Sequence, residues 1–192
     1  MPLATSQNRR LLHRREICIH GFSRDDGGYD VEGHLTDTRT EPHETGWRAV
    51  PAGEQLHDIF VRLSVDRDCR VDAVDVAMTA TPYPDTCPQI TPSYDRLVGR
   101  RIDRGWTRAV EEETGSVHGC AHVRELLGRM AQTAFLTVFL DPARGPTNDR
   151  PPFIDGCHAL ASDGAIVLEA WPAFHIVRGT DDEQRHSMGM ER

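Results

Sequence analysis

Ile59-Phe60-Val61-Arg62-Leu63-Ser64-Val65, then Asp66-Arg67-Asp68, then Val71-Asp72-Ala73-Val74-Asp75-Val76-Ala77-Met78-Thr79-Ala80 is the stretch that decides the fold class. Ile59, Val61, Leu63 and Val65 recur at every second position, the period of a strand with one buried face. The acidic turn and a second β-rich run make it the strongest hairpin in the chain. An earlier pair reads the same way. Glu16-Ile17-Cys18-Ile19-His20-Gly21-Phe22 alternates, Asp25-Asp26-Gly27-Gly28 supplies turn chemistry, and Tyr29, Val31 and Leu35 share one face of the run to Asp37. Between the hairpins, the polar segment 39–53, with Pro42, Gly46, Pro51 and Gly53, reads as a loop.

Downstream the period changes from 2 to 3.6. Pro82 and Pro84 break the strand. Thr91 is placed to cap a helix that has Pro92 at its first position and stops before Gly99. A short helix is expected over 106–114. Val123, Leu126, Leu127, Met130, Ala131, Ala134, Phe135 and Val138 mark a long amphipathic helix that must pack across the sheet. The expected architecture is α+β, an antiparallel sheet packed against helices. Residues 1–14 read as a disordered leader and 15–140 as the core domain. Residues 141–178 read as a Pro/Gly-rich linker with a fold-back hairpin (154–160 and 166–171), and 179–192 as a disordered polar tail.

The chain has 192 residues and a formal charge of −8, which argues against a general nucleic-acid binder, because such a protein needs a basic footprint. No apolar run approaches the roughly 20 residues that span a bilayer. Residues 1–15 carry four arginines around only Leu11-Leu12, without the apolar core of a secretory signal, so a cytoplasmic location is expected. Five cysteines at irregular spacing fit metal binding or burial better than a disulfide framework.

The chemistry-bearing segment is Ser116-Val117-His118-Gly119-Cys120-Ala121-His122, where a loop becomes the long helix. A cysteine at a helix N-terminus is favoured as thiolate. Cys87 precedes another expected helix, His57 opens the strong hairpin, and Cys157-His158 lies beyond the linker. Thiolates and imidazoles together suit zinc or an iron–sulfur cluster better than magnesium or calcium. No CxxC is present, and cysteine is among the most buried residue types, so Cys18 and Cys69 read as packing.

Two resemblances follow. Gly21-Phe22-Ser23-Arg24-Asp25-Asp26-Gly27, Val31-Glu32-Gly33-His34-Leu35-Thr36-Asp37, Ala52-Gly53-Glu54-Gln55-Leu56-His57-Asp58, Pro82-Tyr83-Pro84 with Cys87, and Gly119-Cys120-Ala121-His122 resemble a bacterial family labelled only as a domain of unknown function. That family usually has Thr in place of Ala121. More distantly, the order of Asp58–Val65, Val71-Asp72-Ala73, Cys87, Leu97-Val98-Gly99 and Cys120 is similar to iron–sulfur cluster assembly scaffolds of the NifU type. That likeness implies ligands at His57, Cys87 and Cys120, with His122 or His118 as the fourth.

The expectation is therefore a zinc or iron–sulfur site built from His57, Cys87, Cys120 and His122, in a protein with an accessory or metal/sulfur-handling role and an unidentified protein partner. Two other readings stay open: a metal-free binding or interaction protein whose Cys and His are structural, and a Cys–His thiol enzyme.

Overall fold

The structure is a computed structural model and describes residues 7–145 and 149–177. The chain divides into two compact units, Met1–Gly145 and Pro146–Arg192. The first six residues and the tail from 178 lie outside the described residues, so the leader is described only from residue 7 and the tail not at all.

The first unit is the expected antiparallel sheet with helices. Strands β1 (His13–Ser23), β2 (Tyr29–Arg39), β5 (Gln55–Val65) and β6 (Val71–Ala80) lie in the order β1-β2-β5-β6. Each neighbouring pair is antiparallel. The loop between the hairpins holds a small ladder of its own, β3 (His43–Glu44) with β4 (Ala49–Val50). Thr45 organises its tip by accepting bonds from the backbone of Trp47 and Arg48. Alternation works as the sequence implies: Val31, Leu35, Ile59, Leu63 and Val65 are fully buried on one face. Cys18, Glu32, Phe60 and Arg62 stand on the exposed opposite face.

Helix α2 (Ala121–Phe139) covers β1, β2 and β5, the segment Cys87–Leu97 lies against β6, and helix α1 (Trp106–Thr114) packs on α2 and on that segment. The apolar stripe of α2 (Val123, Leu126, Leu127, Met130, Ala134, Val138) packs on β1, β2 and β5. Close approach depends on glycine. A Cβ on Gly33 would stand 2.8 Å from Met130 Sδ, and one on Gly21 would overlap Thr137. The indole of Trp106 locks α1 to α2 by donating to the Leu127 carbonyl at 2.9 Å. Among the described residues, no helix is long and apolar enough to cross a membrane.

Two local expectations are corrected. Residues Cys87–Leu97 form a 3-10 segment with Pro92 inside it, rather than an α-helix capped by Thr91. The hydroxyls of Thr91 and Ser93 bond back to the carbonyls of Pro88 and Ile90, three residues earlier. Proline has no N–H for an i−4 bond, so Pro88 and Pro92 favour successive tight turns. In the second unit, the fold-back hairpin is absent among the described residues. Helix α3 (Ala165–Ala170) stands where its second strand was expected, with 3-10 turns at His158–Leu160 and Pro172–Phe174. Only Val167 of α3 is buried, and short apolar runs of this kind do not reveal their period. Asp155, at φ 63°, closes a turn by accepting the Ser162 N–H at 2.7 Å.

Candidate functional site

The site forms where three neighbouring strands end beneath the start of α2. Arg15 of β1 pairs with Asp37 of β2, and Asp37 pairs with His57 of β5. Arg15 continues the inward alternation of Ile17 and Ile19, Asp37 that of Leu35, and His57 that of Ile59. The register shifts just past this row: Asp37 faces His57, but Thr38 faces Gln55, so Leu56 is an extra residue on β5. Such bulges re-aim side chains at sheet ends.

Asp37 is the buried centre, its side chain only 1 % exposed. Its Oδ1 accepts from His13 Nε2 at 2.9 Å and Arg15 Nε at 2.8 Å, and its Oδ2 accepts from Arg15 Nη2 at 2.7 Å. Burial alone would raise the carboxyl's pKa. The bonds from Arg15 and His13, with the charges of Arg15 and His57, outweigh burial and hold it well below the usual carboxylate range. His57 Nδ1 lies 2.9 Å from Asp37 Oδ2, yet the ring is turned off the line a hydrogen bond requires. That buried nitrogen therefore has proximity but, among the described residues, no aligned hydrogen-bond partner. Burial first, and then the neighbouring His122, push the His57 imidazole down to about 4, against the pull of Asp37.

Helix α2 delivers the last members. Its N-cap is Cys120, held by the buried Tyr94, whose hydroxyl accepts the Cys120 N–H at 2.7 Å. Gly119 lies so close to the Thr114 carbonyl that a Cβ would overlap it, which sets the path from α1 into α2. His122, two residues inside the helix, stacks on His57 with ring centroids 3.8 Å apart and planes tilted by 35°. Its Nε2 lies 3.8 Å from Asp37 Oδ2, while its Nδ1 faces Cys120 Sγ at 3.7 Å. Burial raises the Cys120 thiol, but the His122 imidazole and the N–H groups of Val123 and His122 bring it below its ordinary value, although the sulfur makes no full capping bond.

The structure thus brings His57 and His122 together with Asp37, each offering one ligand atom, all within 4.8 Å of one another. Cys120 borders this group through His122. Cys87, in the 3-10 segment, does not belong to it, and His118 is exposed. Cys157 and His158 are exposed in the second unit. Asp37, His13 and Arg15 were missed from sequence. The alternation that placed Leu35 inside also places Asp37 inside, and a carboxylate on a buried face was the available signal. Cys69 is buried, which pushes its thiol up to about 12, as a packing residue requires; Cys18 is exposed instead.

No curated protein and no solved structure matches the chain, so the likeness to NifU-type scaffolds finds no support. The sequence pattern of the DUF2889 family, proteins of unknown function, matches residues 13–136, a span from the first residue of β1 into the last turns of α2 that contains every member of the cluster, and the chain belongs to that family.

Proposed function

We propose that Asp37, His57 and His122 bind a single divalent transition ion of the zinc type, in a protein with a metal-handling role. The observation that carries this reading is the buried His57 Nδ1, which makes no hydrogen bond among the described residues although it lies 2.9 Å from Asp37 Oδ2, the oxygen 3.8 Å from His122 Nε2. Donors around one tetrahedral zinc stand roughly 3.3–3.7 Å apart, since zinc–nitrogen and zinc–oxygen bonds are about 2.0–2.2 Å. The separations from Asp37 Oδ2, 2.9 Å to His57 and 3.8 Å to His122, bracket that range. Two imidazoles with one carboxylate suit zinc or iron(II) rather than calcium or magnesium, which take oxygen ligands. An iron–sulfur cluster needs thiolates, and no cysteine joins the group among the described residues.

In this reading Cys120 is a partner of His122. Its sulfur stands at Nδ1, so accepting the Nδ1–H leaves Nε2 free to face the ion. Cys87 is left out of the ligand set. Calorimetric titration of chelator-treated protein with zinc tests the reading: about one ion per chain should bind, and His57→Asn and His122→Asn should each abolish tight binding. A folded wild type that takes up neither zinc nor cobalt(II) refutes it.

One observation favours a second reading. Cys120, lowered below its ordinary pKa and 3.7 Å from an imidazole nitrogen, is arranged as an activated thiol, the core of a Cys–His enzyme. Iodoacetamide should then label Cys120 faster at neutral pH than the exposed Cys18 and Cys157 in metal-free protein. Slower labelling than those two cysteines rules the thiol reading out.

A further inference from the structure

Arg15 occupies the place where a metal would find its charge. Its guanidinium holds Asp37 with two donors, Nε to Oδ1 at 2.8 Å and Nη2 to Oδ2 at 2.7 Å. A carboxylate offers about four lone-pair sites. Arg15 takes two of those on Asp37 and His13 a third, which leaves one, on Oδ2, facing His57 and His122. The carboxylate is therefore neutralised before any ion arrives. The same arginine has a second seat: Nη1 donates to Glu125 Oε2 at 2.6 Å, one turn along α2 from His122. Arg15 and Glu125 are each 33 % exposed, so the guanidinium has room to move on the solvent side, whereas Asp37 has none.

We propose that Arg15 is a built-in counter-cation of the metal centre: it competes with the ion for Asp37 and shifts onto Glu125 when the ion binds. This inference rests on the metal reading of Asp37, His57 and His122. Two consequences follow from the charges. Without metal, the site is a closed ion pair that costs the fold no buried unpaired carboxylate. With metal, the ion must displace or repel a cation already in place, so binding is weakened and exchangeable. The centre is thereby suited to taking up and releasing an ion rather than retaining it permanently.

The sign of one substitution separates this role from a merely structural one. If Arg15 only holds Asp37 in position, then Arg15→Gln loosens the ligand and weakens metal binding. If Arg15 is the competitor, Arg15→Gln strengthens it, by about tenfold or more. That is the effect of removing one positive charge roughly 5 Å from a dication, even at the dielectric constant of water. Glu125→Gln, which removes the second seat, should weaken binding in the wild-type background and have much less effect when Arg15 is already Gln.

The experiment is calorimetric titration of the full chain with zinc, repeated with cobalt(II), for wild type, Arg15→Gln, Glu125→Gln and the double variant, each checked for native circular dichroism. Tighter binding by Arg15→Gln, with a Glu125 effect that shrinks in the double variant, is the expected result. Weaker or unchanged binding by folded Arg15→Gln overturns the competitor role while leaving the metal centre standing. Should Arg15→Gln not fold, Arg15→Lys, which keeps one donor and gives up the fork, must bind at least as tightly as wild type, and weaker binding overturns the proposal. A wild type that binds neither ion removes the metal reading, and this inference with it.

Discussion

Replacing Asp37 by Asn tests the electrostatic centre directly, because the change keeps shape and removes charge. The carboxylate is 1 % exposed and accepts from Arg15 through both oxygens and from His13 through Oδ1. An amide keeps one acceptor oxygen and turns an NH2 group toward the guanidinium, donor against donor. Removing one member of a fully buried ion pair costs about 3–5 kcal/mol. Arg15 here is 33 % exposed and keeps Glu125 as a partner, so the penalty should be discounted to about 2–3 kcal/mol. The assay is urea denaturation of chelated protein, read as a shift in midpoint for the unit that contains the sheet. The pH dependence adds a second reading. The folded carboxyl is depressed, so its contribution is full above the unfolded value of about 4 and is lost as pH falls from there toward the lower folded value. The gap between wild type and Asp37→Asn should therefore close below about pH 4. A loss under about 0.5 kcal/mol at pH 7, in the range of ordinary surface substitutions, would refute the view that Asp37 organises this end of the sheet.

Two further outcomes are expected. His57 titrates near 4 in the fold against about 6.5 when unfolded, so the unfolded chain takes up the proton first, and the chelated wild type should lose stability as pH falls from about 6.5 to about 4; His57→Gln should flatten that slope, and an unchanged slope between the two proteins would place the titrating group elsewhere. Gly119→Ala should cost about 1–3 kcal/mol, because its Cβ would meet the Thr114 backbone carbonyl, which has little freedom to yield; Gly33→Ala meets side-chain atoms of Met130 and Leu126 and no backbone, so it should cost less, and the reverse order in denaturation midpoints would show that α2 is positioned by other contacts.

The parts of the fold that could be read in advance are those with a strong period. The hairpin of β5 and β6, the hairpin of β1 and β2, and the bounds of α1 and α2 all follow from spacing of apolar residues that the packed unit then buries. Segments without a period were less legible. Residues 87–97 carry two prolines and bond through side-chain hydroxyls, and residues 165–170 bury only Val167, so neither announces its conformation by pattern. In the site, His57 and His122 stood out because imidazoles flank structural boundaries. Asp37 did not, because an acid at the end of a strand ordinarily reads as a solvated turn.

By itself the sequence determined the inward faces of the strands through Val31 and Leu35 and through Ile59, Leu63 and Val65, because alternation along a strand is a local property of the backbone; Arg15, Asp37 and His57 follow the same period but were not read as inward. It also determined that a helix would begin at Cys120 and carry an apolar stripe to the sheet. Only the tertiary structure decided that these residues meet. Register places Arg15 opposite Asp37 and Asp37 opposite His57, and the bulge at Leu56 ends the row there. The close packing of α2 over Gly33 and Gly21 then brings His122 onto His57 and leaves Cys120 at the far nitrogen of that ring. Register and helix placement are set by the summed packing of the whole unit, and no short stretch of the chain contains them.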